Sequence, residues 1–367
     1  MPRPDLLSPA RFRNGVEARN RVALAPLTNL QSHDDGSLSD EEFRWLDRRA
    51  AGGFGVVETC AAFVDRGGRA WEGELGIDDD ARLPGLTRLG HALGERGAIG
   101  LVQLFHGGVR ATSKTTGRQP VSASSWDEDT PGFEAPRAAT VDEIHGFVTA
   151  FREAAVRAQA AGFHGVELHG AHGYLLCQFL SRTMNPRDDG WGGDLEGRAR
   201  LIRECMRAVR SATRPEFVVG VRLSPEDYGF ARGLDLDEVV TVATWLCDDG
   251  ADFIHLSLWD ARKNTRRYPD RHAVPMFREA IPSDVPIVAA GHVWTRDDAE
   301  HLLGLGADLV ALGRSGIVNP DWPTRAADPT WAPRRPPLTP AEFAARDVSP
   351  RFVEYLRRWK DFVSDAP

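Results

Sequence analysis

Eight short apolar runs that alternate with amphipathic helical segments predict an α/β fold of the (β/α)8 barrel class. The runs span residues 22–24, 55–57, 99–104, 165–168, 217–223, 253–258, 286–289 and 309–312, most of them bounded by Gly or Pro. They lack clean polar–apolar alternation, the pattern of parallel strands covered on both faces. Strand–helix alternation repeated this often closes into a barrel. The rival fold, an open doubly wound sheet, calls for a Gly-x-Gly-x-x-Gly turn after its first strand. Ala25-Pro26-Leu27-Thr28 occupies that place instead.

The elements follow in order. Residues 1–20 hold an N-terminal hairpin, signalled by Asn14-Gly15 between semi-apolar arms and expected to plug one end of the barrel. Ser39-Asp40-Glu41-Glu42 and Thr140-Val141-Asp142-Glu143 read as capping boxes that open helices, the second running to Ala161 and stopping at Gly162. Residues 195–213, 235–249 and 295–305 supply further helices, and Ser349-Pro350 starts a C-terminal one. Long loops follow strands three and four, at 106–139 and 182–194. They leave strand C-terminal ends, where barrels of this class place lids and pocket walls. Residues 332–367 read as an extended strap and helix, and the whole of 1–367 as a single domain.

Composition narrows the function. A net charge of -8 offers no footprint for nucleic acid. Cys60, Cys177, Cys205 and Cys247 form no C-x-x-C pair, which argues against zinc or iron–sulfur sites, and no metal is expected. Scattered single cysteines read as buried reduced thiols of a cytoplasmic protein. Met1-Pro2-Arg3-Pro4-Asp5 leads into no long apolar run, so no signal peptide is expected, and no stretch approaches the ~20 apolar residues of a membrane span.

The chemistry concentrates in His169-Gly170-Ala171-His172-Gly173-Tyr174, just past the fourth strand. Imidazole and phenol donate hydrogen bonds at neutral pH without a full charge, so the trio suits gripping an electron-poor oxygen and protonating a neighbouring carbon. Solvated loop histidines beside a core tyrosine are the plainer alternative, and the barrel context weighs against it. Gly291 after the seventh strand and Gly313-Arg314 after the eighth suit a phosphate, which loops at these positions often bind. Arg222, inside an apolar strand, needs a partner: either an ion pair, with Glu167 as candidate, or an electron-rich ring at the barrel mouth. Gln103 suits the edge of a pyrimidine-like ring or a satisfied core position.

Taken together, these stretches resemble the old yellow enzyme family of FMN-dependent NAD(P)H oxidoreductases. The ordered matches include Asn20-Arg21-Val22, Val57-Glu58-Thr59, Val102-Gln103-Leu104, Gln178-Phe179-Leu180-Ser181, Asn185-Pro186-Arg187 and Val221-Arg222-Leu223-Ser224, with His169 to Leu175 the most specific. The resemblance implies a TIM barrel with FMN held non-covalently at its C-terminal mouth and NAD(P)H as reductant. It implies that Ala25, Pro26, Leu27 and Thr28 line the isoalloxazine, that Thr59 and Gln103 contribute at strand ends, and that Arg222 faces the reduced ring. Gly291, Gly313 and Arg314 would hold the phosphate. His169 and His172 would bind the oxygen of an activated alkene (an enone, maleimide or nitroalkene), and Tyr174 would donate the proton. One branch of the family sends a C-terminal arginine into a neighbouring subunit's site. Arg357 and Arg358 are the candidates here, with a homodimer or higher homo-oligomer as the matching expectation. Two other readings remain: a non-catalytic flavin- or ligand-binding barrel, and a Schiff-base aldolase, which needs a buried strand-end lysine.

Overall fold

The structure, a computed structural model, describes residues 4–365. Residues 1–3 and 366–367, the extreme ends of the predicted hairpin and tail segments, lie outside the described residues. Eight parallel strands form the barrel: β1 (Val22–Leu24), β2 (Val56–Phe63), β3 (Ile99–Phe105), β4 (Gly165–Gly170), β5 (Val218–Leu223), β6 (Phe253–Ser257), β7 (Ile287–Ala290) and β8 (Leu309–Leu312). Each pairs with its sequence neighbour, and β8 pairs with β1 through Val310 opposite Val22, which closes the ring. Every residue of these strands is buried, as the continuous apolar runs require.

The outer layer is helical: α1 (Asp40–Ala51), α2 (Leu83–Glu95), α3 (Val141–Ala160), α4 (Leu195–Ala212), α5 (Leu236–Asp248), α6 (Ala273–Ala280), α7 (Arg296–Gly304), α8 (Arg314–Val318) and α9 (Pro350–Leu356), with further short helices that include Leu175–Leu180 and Pro340–Ala344. The predicted capping box of α3 is present, with Thr140 and Glu143 bonding reciprocally. That of α1 is only half formed. Ser39 accepts from the Glu42 N–H, but the Glu42 carboxylate does not return to the cap. It is buried and takes hydrogen bonds from Asn29 Nδ2 at 2.9 Å, Cys60 Sγ at 2.9 Å and the Ser32 hydroxyl.

Inside the barrel, side chains alternate along each strand and build two layers. The lower one is apolar: Val56, Ile99, Leu101, Val218, Phe253, Val288 and Leu309 pack against Phe12 from the hairpin, whose ring centroid lies 5.3 Å from that of Phe253. The hairpin arms, Ala10–Arg11 and Glu17–Ala18, thus stopper the N-terminal end of the barrel. Two or four residues further along β3, β4, β5 and β6 the same inward positions become Gln103, Glu167 and His169, Arg222, and His255 and Ser257. Gly220 makes room below them, since a Cβ there would meet the Phe253 ring at 2.1 Å.

Candidate active site

A cavity of about 220 Å³ opens above the polar layer, at the C-terminal ends of the strands. Its walls are Pro26, Leu27 and Thr28 after β1, Gln103 on β3, His169, His172 and Tyr174 at the end of β4, Arg222 on β5 and Arg314 after β8. Ala61, Trp71, Ile317, Tyr355 and Trp359 complete it.

The β4 loop shapes one wall of this cavity. His172 has φ 61° and Gly173 φ 76°, two successive left-handed residues that turn the chain sharply. The turn brings the His169 ring centroid to 5.0 Å from that of His172 and 4.9 Å from that of Tyr174. Phe105 backs Tyr174 edge-on at 4.5 Å. His169 Nδ1 accepts the Ala171 N–H at 3.3 Å, so its neutral form carries the proton on Nε2. His172 Nε2 pairs with the Ser257 hydroxyl at 2.6 Å, which leaves Nδ1 as its free ring atom. The same hydroxyl accepts from Arg222 Nη2 at 3.1 Å.

Below this wall, Glu167 accepts from Gln103 Nε2 at 2.6 Å and pairs with His255 Nδ1 at 2.6 Å. The Arg222–Glu167 ion pair considered from the sequence is therefore not a contact pair; Glu167 is held by Gln103 and His255, and Arg222 by Ser257. Carboxylate and imidazole atoms of Glu58, Glu167 and His255 lie within 4.8 Å of one another, with the Arg222 charge beside them.

Burial sets the protonation states. It holds His169 and His172 well below the ordinary imidazole value, and the nearby Arg222 and His255 reinforce this, so both rings are neutral donors at pH 7. It pushes the Tyr174 phenol up to about 12. Glu58 sits well above the usual carboxylate range because it is buried and faces Glu167. Burial also pushes Glu167 upward, but His255 and Arg222 outweigh it and hold that carboxyl below its ordinary value. The two environments thus push Glu58 towards its neutral form and Glu167 towards its charged one.

The other residues singled out in the sequence fall nearby. Ala25 is buried just below the cavity, its N–H on Leu312 O at 3.1 Å. Thr59 is fully buried where β2 shifts register against β3. Its hydroxyl donates to Cys60 O at 2.7 Å and accepts the Gln103 N–H at 3.3 Å, and Ala61 takes the cavity wall instead. Gly291 and Gly313 stand at the ends of β7 and β8. A Cβ on Gly291 would meet the Leu258 backbone at 2.8 Å, whereas one on Gly313 would find nothing nearer than Leu27 Cδ2 at 3.6 Å. Arg357 is tied to Asp365 at 2.7 Å, and Arg358 lines the mouth of its own chain.

These features fit a planar, electron-rich ring that carries a phosphate. Arg222 Nε is buried without a hydrogen-bond partner. Arg314 has no carboxylate partner among the described residues; its Nη2 meets only His292 Nδ1, at 3.0 Å, beside the open approach at Gly313.

The profile of the NADH:flavin oxidoreductase / NADH oxidase family matches residues 5–330. The chain belongs to this family. It is an NAD(P)H-dependent flavin oxidoreductase with FMN as its cofactor. The probable NADH-dependent flavin oxidoreductase YqiG of Bacillus subtilis (strain 168) is 37% identical over 329 residues, 88% of each chain. An NADH:acrylate oxidoreductase of Vibrio harveyi is 32% identical over 86% of this chain, which spans only 32% of that longer protein. Among solved structures, an old yellow enzyme homologue from Zymomonas mobilis superposes with a TM-score of 0.81 at 27% identity, covering 94% of this chain and 99% of the other. The old yellow enzyme resemblance and the barrel fold both stand.

Proposed function

We propose that this family member reduces carbon–carbon double bonds activated by an adjacent carbonyl or nitro group, such as enones, maleimides and nitroalkenes. The observation that carries the reading is the shared wall of His169, His172 and Tyr174, three neutral donors packed ring to ring beside Arg222. In this reading, Pro26, Leu27 and Thr28 line the FMN ring, with Ala25 supporting them from below. Gln103, whose NH2 is engaged by Glu167, turns its carbonyl oxygen to the ring edge. Thr59 acts only by holding Gln103. Arg222 supplies positive charge to the electron-rich side of the ring, and Gly291, Gly313 and Arg314 receive the phosphate. When bound, FMN supplies the hydride it has taken from NAD(P)H.

The chain's own residues supply the rest. His169 Nε2–H and His172 Nδ1–H donate to the activating oxygen and stabilise the negative charge that grows there; one such donor is worth roughly 3 kcal/mol. Serving as that donor requires His172 Nε2 to accept from Ser257. Tyr174 Oη then delivers its proton to the carbon beside the activating group. The acrylate oxidoreductase relative supports an activated alkene as acceptor. In the same reading residues 1–367 form one FMN-binding unit of a cytoplasmic, homo-oligomeric enzyme, the assembly being testable by light scattering. Among the described residues no helix is long and apolar enough to cross a membrane.

The aldolase alternative lacks its lysine: Lys114, Lys263 and Lys360 are all exposed. A non-catalytic barrel is separated by experiment. The purified protein should release FMN on denaturation and oxidise NADH or NADPH in the presence of an enone. Tyr174→Phe should lower the enone-dependent reoxidation rate by ~10²–10⁴-fold, with flavin content retained. Bound FMN without turnover of any enone, maleimide or nitroalkene would overturn the proposal.

A further inference from the structure

Beyond Tyr174 lies a second, outer cavity of about 640 Å³, which shares Thr28, Trp71, Tyr174 and Tyr355 with the inner one. Its charged lining is unbalanced. Arg110, Lys114, Arg351 and Arg358 face it, against Glu72 and Glu354. Arg351 is matched by Asp34 at 3.2 Å, and Glu354 is taken by Arg357 at 3.1 Å. Arg110, Lys114 and Arg358 form no ion pair among the described residues.

Arg110 is the fixed member of this set. Its guanidinium carbon lies 3.6 Å from the Phe230 ring centroid and 5.9 Å from that of Tyr174. Its Nη1 is buried and has no hydrogen-bond partner. A guanidinium N–H taken out of water without an acceptor is unfavourable until something supplies one. Stacking on Phe230 pre-sets the plane of the fork, and that fork matches the paired oxygens of a carboxylate or phosphate.

We infer that the outer cavity is an anion subsite, with Arg110 as its anchor and Lys114 and Arg358 as its exposed rim. The inference rests on the inner cavity being the reacting site. It receives a carboxylate or phosphate carried by one of the two molecules that react there. The first source is an activated alkene bearing a second, negatively charged group beyond the oxygen gripped by His169 and His172. The second is the phosphate portion of the nicotinamide dinucleotide.

The holoenzyme tests both. trans-4-Oxo-2-pentenoate and its methyl ester serve as reducible probes, and 4-oxopentanoate and its ester as non-reducible ones, read by the absorbance shift of the bound flavin. NADH and NADPH are compared by stopped-flow bleaching. If the anion belongs to the alkene, the acid is favoured over the ester by about tenfold or more in kcat/KM and in dissociation constant. Arg110→Met then removes the preference, and Arg110→Lys keeps most of it. If it belongs to the dinucleotide, Arg110→Met weakens NADH or NADPH binding by a similar factor and leaves the acid-to-ester ratio near one in both proteins. Either pattern upholds the subsite and names its source. Equal effects on acid and ester, with dinucleotide binding altered by less than about twofold, overturn it. Should no enone turn over at all, the alkene-reductase reading fails, yet the oxopentanoate and bleaching arms still report on the subsite.

Discussion

Ser257 has one hydroxyl and two larger neighbours that depend on it. By meeting His172 Nε2 and Arg222 Nη2 together, it fixes which nitrogen of the histidine faces the cavity and where the cation points. Ser257→Ala should lower kcat/KM for enones by about tenfold, the loss of one charge-assisted and one neutral hydrogen bond, and should shift the bound-flavin absorbance. A spectrum and kcat/KM equal to the wild type would rule the role out. The Tyr174 phenol makes a pH prediction. A proton donor works below its own pKa and fails as pH rises through it. Burial has moved that point up to about 12, so the oxidative half-reaction should show no tyrosine-linked fall between pH 7 and 10. A fall centred near ~10, the free phenol value, would mean that the Tyr174 phenol is not buried as the structure has it. His169, His172 and Tyr174 were legible because they cluster within six consecutive residues at a strand end, although β4 runs two residues further than the apolar run and includes His169. Ser257 and His255 were not singled out, although polar residues spaced by two in an apolar run mark a barrel's inward face. Thr59 shows the opposite limit: a register shift in β2 is invisible in sequence, and it turns Thr59 away and Ala61 in.

The turn after β4 carries more of the site than its length suggests. Gly173 is held at φ 76°, and a Cβ there would lie 2.5 Å from Phe230 O. Gly173→Ala should therefore destabilise the fold by roughly 1–3 kcal/mol and displace Tyr174, visible as a lower urea midpoint together with slower flavin reoxidation. A variant with wild-type midpoint and rate would show that the turn relaxes freely. Helices were legible where a side chain caps them: Thr140 and Ser349 accept backbone N–H groups where expected, and Asp194, Asp235 and Thr295 do the same at the starts of three helices whose ranges the sequence indicated. Helix α2 has no such signal. It begins after Arg82 without a side-chain cap and contains Gly85, Gly90 and Gly94. Packing explains at least one of these glycines, since a Cβ on Gly90 would meet Ala161 O at 2.4 Å. In α1 the sequence pattern of a capping box was present, but burial diverted Glu42 to Asn29, Ser32 and Cys60.

Across the whole molecule, the eight strands were recoverable because parallel strands buried on both faces leave uninterrupted apolar runs. The sequence could not show how the interior is layered, which depends on which of two alternating sets points inward. Phe12 bears on that lower layer alone. Phe12→Ala should lower unfolding stability by about 3–5 kcal/mol and leave FMN affinity within a factor of about two, measured by urea denaturation and flavin titration. A large loss of flavin affinity would show that base and mouth are coupled. The stoppered base also dictates traffic. With Phe12 and its apolar neighbours closing the base, the described residues leave the approach from the mouth, and in the proposed reading the spent nicotinamide departs from there before an alkene enters. Double-reciprocal plots at several acceptor concentrations should accordingly run parallel, and excess reductant should slow turnover by blocking the threshold.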